Sequence, residues 1–186
     1  MFLVLMFCNV GLSDVKSEEC LAIEDICVGD SALDYFTEKE LKDTQHFYYK
    51  DKKFVTSIFN SHPTFKTYEG VEIDYEFSDK KYIIRYVVGY FNTNLDDCLN
   101  KKKEISDEVF NQFNKKGKSK NYKNTVDEKG ESMVYEIKFN LDSDIVIIAE
   151  CYDWSKRMEK QYFDNFSLVI TTKKYDAYTQ GNLQTY

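Results

Sequence analysis

The residues of this chain best placed to do chemistry are its cysteines, and their spacing favours crosslinking over reactivity. Five are present, at Cys8, Cys20, Cys27, Cys98 and Cys151. None is arranged as Cys-x-x-Cys, and Cys20 and Cys27 are too far apart for that redox motif. Cys8 lies in the apolar run Phe2-Leu3-Val4-Leu5-Met6-Phe7, which is closed by Gly11-Leu12-Ser13 and followed by the charged segment Asp14–Glu19. Small residues at Gly11 and Ser13 fit the cleavage rule of a secretory signal peptide, so residues 1–13 are expected to be removed and Cys8 with them. Four cysteines then remain in an exported chain, which reads as two disulfides with three possible connectivities. No Lys or Arg precedes the apolar run, which points to a shortened start.

The other chemistry-bearing residues are dispersed. His46 and His62 are the only histidines, both in polar, loop-like surroundings, so neither a Cys–His nucleophile nor a metal site is expected. Glu24-Asp25 and Asp142-x-Asp144 are carboxylate pairs without the frame of a calcium loop or an acid–base dyad, and they read as solvated turns. No phosphate loop, nucleophile elbow or dinucleotide fingerprint occurs, and no cofactor is expected. Between Lys101 and Lys123 eight lysines face three carboxylates. Within that run Lys115, Lys116, Lys118 and Lys120 form a candidate anion patch, the ordinary alternative being a solvated helix end. Tyr152-Asp153-Trp154 places the single Trp and a Tyr at a strand end, either as a ligand platform or as a plug over the core.

The rest of the composition says what must position these groups. Of 186 residues, 42% are hydrophobic and 16% aromatic, with 15 Tyr and 14 Phe against 7 Gly and 1 Pro, which argues for a folded, sheet-rich domain. The net charge of −7 repels nucleic acid and anionic membranes as a whole, so neither is expected as a partner, and the N-terminal run is too short to span a bilayer. Residues 14–186 form one unit without an internal linker.

Along that unit, Thr37-Glu38-Lys39-Glu40 has the spacing of a capping box, after a short helix through Ala32, Leu33, Tyr35 and Phe36 capped by Asp30 or Ser31. Strands are expected at 53–59 and 64–68. Residues 71–77 alternate Val71, Ile73, Tyr75 and Phe77 against Glu72, Asp74 and Glu76, giving a strand with one wet face. Residues 82–91 are apolar on both faces and should be central. Asn94 opens the clearest helix, about 94–115, with Leu95, Cys98, Leu99, Ile105, Val109 and Phe113 on one stripe. A polar loop over 118–131 follows, then strands at 133–139, 145–152 and 162–172. The expected fold is α+β: an antiparallel sheet of about six strands, a long helix packed across one face, and short N-terminal helices. Because Cys98 lies on the helix stripe and Cys151 on an apolar strand face with Ile145, Ile147 and Ala149, the expected bridges are Cys98–Cys151 and Cys20–Cys27.

The segments Ile26–Leu41 (ICVGDSALDYFTEKEL), Lys80–Val88 (KKYIIRYVV) and Cys151–Ser155 (CYDWS) resemble a set of uncharacterised small exported proteins of AT-rich marine bacteria. The resemblance implies a periplasmic or secreted protein and supplies no catalytic residues. The reading is therefore an exported, non-enzymatic envelope protein that binds or scaffolds a ligand, with a carboxylate-dependent periplasmic hydrolase as the alternative. Export predicts a mature N-terminus at or near Asp14 in protein collected outside the cytoplasm. N-terminal sequencing checks this, and a cytosolic chain with Met1 intact would refute it.

Overall fold

A computed structural model describes residues 20–182; residues 1–13, the segment expected to be a signal peptide, lie outside them. In chain order the elements are β1 (Ala22–Ile23), β2 (Ile26–Cys27), α1 (Glu38–Asp43), β3 (Gln45–His46), β4 (Phe54–Asn60), β5 (Gly70–Glu76), β6 (Ile84–Asn92), α2 (Leu95–Phe113), β7 (Lys118–Lys123), β8 (Met133–Asn140), β9 (Ile145–Asp153), β10 (Asn165–Thr172) and α3 (Lys173–Asn182). Strands β1 and β2 make a separate two-stranded hairpin. The other eight form one antiparallel sheet in the order β3-β4-β5-β6-β10-β9-β8-β7.

This order is two four-stranded meanders, β3–β6 and β7–β10, joined where their last strands pair. Asn92 stands opposite Asn165, and the register runs down to Tyr86 opposite Thr171. One face of the joined sheet carries Val71, Ile73, Val87, Leu168, Ile170, Ala149, Ile147 and Phe139, all buried. α2 covers the β8–β9–β10 half of that face through Cys98, Ile105 and Val109. The N-terminal segment covers the other half. Gly29 donates its N–H to the Ile84 carbonyl (2.9 Å) and Ala32 to that of Tyr82 (2.9 Å). Gly89 permits this close layering, since a Cβ there would fall 2.6 Å from the Tyr68 ring and 2.7 Å from Ile23.

Local chemistry explains the helix limits. The Asn94 side chain accepts from the Asp97 N–H (3.0 Å) at the start of α2, and Asn114 closes it in the left-handed conformation. Thr37 and Glu40 form the expected capping box of α1.

Four expectations change. The sheet has eight strands, not about six. Residues 118–123, read as loop, are edge strand β7, whose polar lysines need no apolar partner because one side of the strand is unpaired. Residues 64–68, read as a strand, lie outside the sheet, held by Glu24, whose carboxylate accepts the N–H groups of Lys66 (2.8 Å), Thr67 (2.5 Å) and Tyr68 (2.7 Å). The wet face assigned to residues 71–77 is largely covered. Asp74 is 3% exposed beneath α3, a helix absent from the expected set, and accepts hydrogen bonds from Tyr49 (3.4 Å) and Tyr175.

The cysteines come together in the two expected pairs. Cys98 and Cys151, 1% and 0% exposed, have Cα atoms 5.8 Å apart and stand at bonding distance, S–S 2.03 Å. Cys20 and Cys27 are also joined, with Cα atoms 6.1 Å apart. The Cys98–Cys151 link ties the first turn of α2 to β9 across a sequence separation of 53. Loop closure of that length limits the unfolded chain by about 4 kcal/mol. The double variant Cys98→Ala/Cys151→Ala should therefore lose about that much in denaturant unfolding, and non-reducing peptide mapping should recover Cys98 joined to Cys151.

Candidate functional site

The second face of the sheet is only half covered. α3 packs on its lower end, where Tyr175 meets Phe54, Tyr86 and Tyr49 and Lys138 pairs with Asp176 (2.5 Å). Beyond α3 the same face opens into a cleft of about 400 Å³ that reaches across β5, β6, β10 and β9. Strand alternation sends Glu72, Val88, Tyr86, Tyr90, Ser167 and Glu150 into it from the sheet floor. The segment after β9 builds one wall, from Trp154, Gln161, Tyr162 and Phe163.

That wall is an aromatic stack. Tyr152 lies over Trp154 with ring centroids 5.8 Å apart, and Trp154 over Tyr162 at 4.5 Å, the planes within about 20°. Trp154 is 7% exposed, and its indole N–H has no hydrogen-bond partner among the described residues. Phe163 stands out to solvent at 67% exposure and separates the cleft from a second depression lined by Asn92, Thr93, Asn94 and Glu159. Opposite the stack, Tyr90 lies flat over Gly70, where a Cβ would enter its ring, and its hydroxyl donates to Asn60 Oδ1 (2.6 Å).

A buried carboxylate holds the aromatic wall in place. Asp127, in the loop between β7 and β8, accepts from the Ser132 hydroxyl (2.6 Å), the Ser132 N–H (2.7 Å), the Ser155 hydroxyl (3.3 Å) and the Arg157 guanidinium. The Ser132 hydroxyl first, then its N–H and the Arg157 charge, keep the Asp127 carboxyl well below the usual carboxylate range against the opposing effect of burial. At the other end Trp154 donates its backbone N–H to Asp164 (2.7 Å).

The two glutamates of the cleft behave oppositely to Asp127. The Glu72 side chain makes no hydrogen bond or ion pair among the described residues, and burial, aided by the Asp74 charge, pushes its pKa up from 4.5 to about 7. Glu150 accepts weakly from the hydroxyls of Tyr122 (3.3 Å) and Tyr152 (3.2 Å), yet burial and neighbouring Glu136 also raise it to about 7. No Lys or Arg lines the cleft. Three inter-strand steps of about 4.8 Å separate β5 from β9, so the backbones bearing Glu72 and Glu150 stand about 14 Å apart across the sheet. They face the cleft from its two sides and do not form a dyad.

Of the residues singled out in the sequence, Tyr152 and Trp154 are brought into this cleft. The cysteine pairs lie elsewhere, Cys98 and Cys151 on the opposite face. The lysine run is dispersed: Lys115 pairs with Asp142 (2.6 Å), Lys116 lies over the Phe110 ring, and Lys118 and Lys120 sit on edge strand β7. Lys101 and Lys103 pair with Glu104 and Asp107 on α2. His62 bonds to Thr64 (2.7 Å) and packs against Phe36, while His46 is exposed beside Tyr48; neither lines the cleft. No group of His, Cys, Asp and Glu side chains able to hold a metal ion occurs among the described residues. Glu72, Glu150, Tyr86, Tyr90, Tyr162 and Phe163 were not singled out. The available signal was Glu150 interrupting an otherwise apolar central run, whereas Glu72 is one of three acids alternating along residues 71–77.

Comparison with known proteins finds no matching family model, no matching curated protein and no matching solved structure.

Two outcomes follow from these charges. Both cleft glutamates have folded pKa values near 7, raised from 4.5, so the native state holds their protons more tightly than the unfolded chain. Stability is therefore least affected below about pH 4.5 and falls as pH rises towards 7, by about 1–3 kcal/mol per group given their partial exposure. Thermal melts from pH 4.5 to 8 should show this slope, and Glu72→Gln/Glu150→Gln should flatten it. Separately, Asp127→Ala should lower Tm by roughly 5 °C or more and shift the emission of Trp154, the only Trp in the chain, to the red.

Proposed function

We propose that this chain is an exported, non-enzymatic binding protein of the bacterial envelope and that the cleft on the half-open sheet face is its ligand site. The observation that carries the reading is the arrangement of that cleft. An aromatic wall and floor accompany two carboxylates that flank the space from opposite sides, with no histidine or cysteine among the lining residues. Preformed, largely apolar clefts with a few placed polar groups are where small ligands bind. Two disulfide-distance cysteine pairs fit an oxidising compartment, and among the described residues no helix is long and apolar enough to cross a membrane.

The rival reading, a carboxylate-dependent hydrolase, draws on one feature, the pKa values near 7 that would suit Glu72 or Glu150 to acid–base work. A glycosidase-type mechanism places its two carboxyl groups within about 5–9.5 Å of each other around one bond. Residues three strands apart fit that requirement poorly.

Because Trp154 is the sole tryptophan and belongs to the cleft wall, its fluorescence reports occupancy directly. A screen of amines, amino acids, sugars and nucleosides against the mature protein should find a compound that saturably changes Trp154 emission, with the response reduced at least about tenfold in affinity by Tyr152→Ala. Turnover of a chromogenic glycoside or ester that disappears in a folded Glu72→Gln or Glu150→Gln protein would replace the binding reading with the hydrolase.

A further inference from the structure

The chemistry of the cleft also indicates what class of ligand would complete it. Glu72 has no partner among the described residues, and Glu150 has only two long tyrosine hydrogen bonds. A half-buried carboxylate ordinarily finds a cation or several donors, since burial without compensation is costly. Here the lining residues offer no cation. On this face Lys138 pairs with Asp176 beneath α3, and Lys120, two strands from Glu150 in the same register row with Glu136 between, lies over the Tyr122 ring. Between the two glutamates the floor carries Val88, Tyr90 and Ser167, and the rings of Tyr86 and Tyr152 flank it two residues further along their strands on either side. Ring faces attract cations and also pack against methylene chains.

We propose, building on the binding-site reading above, that the cleft takes a linear organic polycation, an aliphatic polyamine, with one terminal ammonium at Glu72, the other at Glu150 and the methylene chain across Val88 and the Tyr90 ring. Geometry selects the linear form. The carboxylates approach from strands about 14 Å apart, so one compact cation cannot reach both, whereas a long chain with a charge at each end can. Electrostatics agrees, because each ammonium supplies the positive charge that its glutamate lacks. A cation seated there would also draw the glutamate pKa values down from about 7, so binding would release protons near neutrality.

Isothermal titration and Trp154 fluorescence on the mature protein test this with spermine, spermidine, putrescine, fully N-acetylated spermine and a neutral disaccharide as probes. Spermine should bind saturably with one site. Putrescine, too short to join the two carboxylates, and the uncharged acetylated form should each bind at least about tenfold more weakly. Glu72→Gln and Glu150→Gln should each weaken spermine by at least about tenfold, whereas Glu104→Gln, an exposed acid on α2 against the opposite face, should leave it unchanged. Should either Gln variant fail to fold, the ligand series on the unaltered protein decides alone. Equal binding of spermine and its acetylated form, or undiminished binding in folded Gln variants, overturns the polyamine assignment. If only the disaccharide moves Trp154 emission, and does so through Tyr152, the cleft is a binding site for neutral ligands and the polyamine assignment alone falls. If no probe or screened compound is bound, the site reading falls with it.

Discussion

The pairing of β6 with β10 is the constraint on which the rest of the molecule depends. Every other ladder in the main sheet joins strands that follow one another in sequence. This one joins residues 84–92 to residues 165–172 and fuses two meanders into one continuous surface. Neither meander alone offers a face broad enough to bury both α2 and the N-terminal segment. The core on one side and the cleft on the other both straddle the seam. Phe91 and Phe166 pack across it on the core side, while Tyr90 and Ser167 face each other on the cleft side. The Cys98–Cys151 link lies one strand away and pins α2 over the same junction.

The two faces are finished by different physics. On the core side, aliphatic side chains are closed over by a helix and by backbone hydrogen bonds from the N-terminal segment, and little polar area is left behind. On the other side tyrosines replace aliphatics, and carboxylates sit among them. There the buried acids are managed one at a time. Asp74 is answered by Tyr175 and Tyr49 under α3, Asp127 by Ser132, Ser155 and Arg157, and Glu72 by nothing in the described chain. Polar groups left unsatisfied in a partly dry place are unfavourable for stability, and they persist where binding gains from them.

How far the sequence discloses this architecture depends on whether the decisive contacts are local. α2 is legible because its cap, its stripe and its terminating Asn114 lie within one stretch, and the Cys98–Cys151 pairing follows once the stripe is placed on an apolar strand. β7 is not legible, since Lys-Ser-Lys-Asn-Tyr-Lys has no apolar alternation and becomes a strand only because β8 offers a free edge. Residues 64–68 look like a strand by composition, but Glu24 captures their N–H groups first. α3 carries little hydrophobic patterning and docks chiefly through Tyr175. The cleft is hidden for a related reason. Glu72 and Glu150 become neighbours of one space only through the register of four strands, and no local pattern encodes that register. Tyr152 and Trp154 are visible because they adjoin Cys151, yet the sequence alone cannot say whether they plug or line.

The order in which strands leave the ribosome gives the seam a further meaning. β3 to β6 can pair as soon as they are made, but the free edge of β6, bearing Val87 and Val88, must wait for β10, the last of the described strands. From the completion of β6 at Asn92 until β10 begins at Asn165 the growing molecule therefore presents an unpaired apolar edge of the kind that recruits other chains. The finished sheet hides its hazard at the centre and shows the outside only a two-residue strand and a lysine-rich one. Its window of greatest vulnerability is thus temporal: it opens when β6 is complete and closes when β10 pairs.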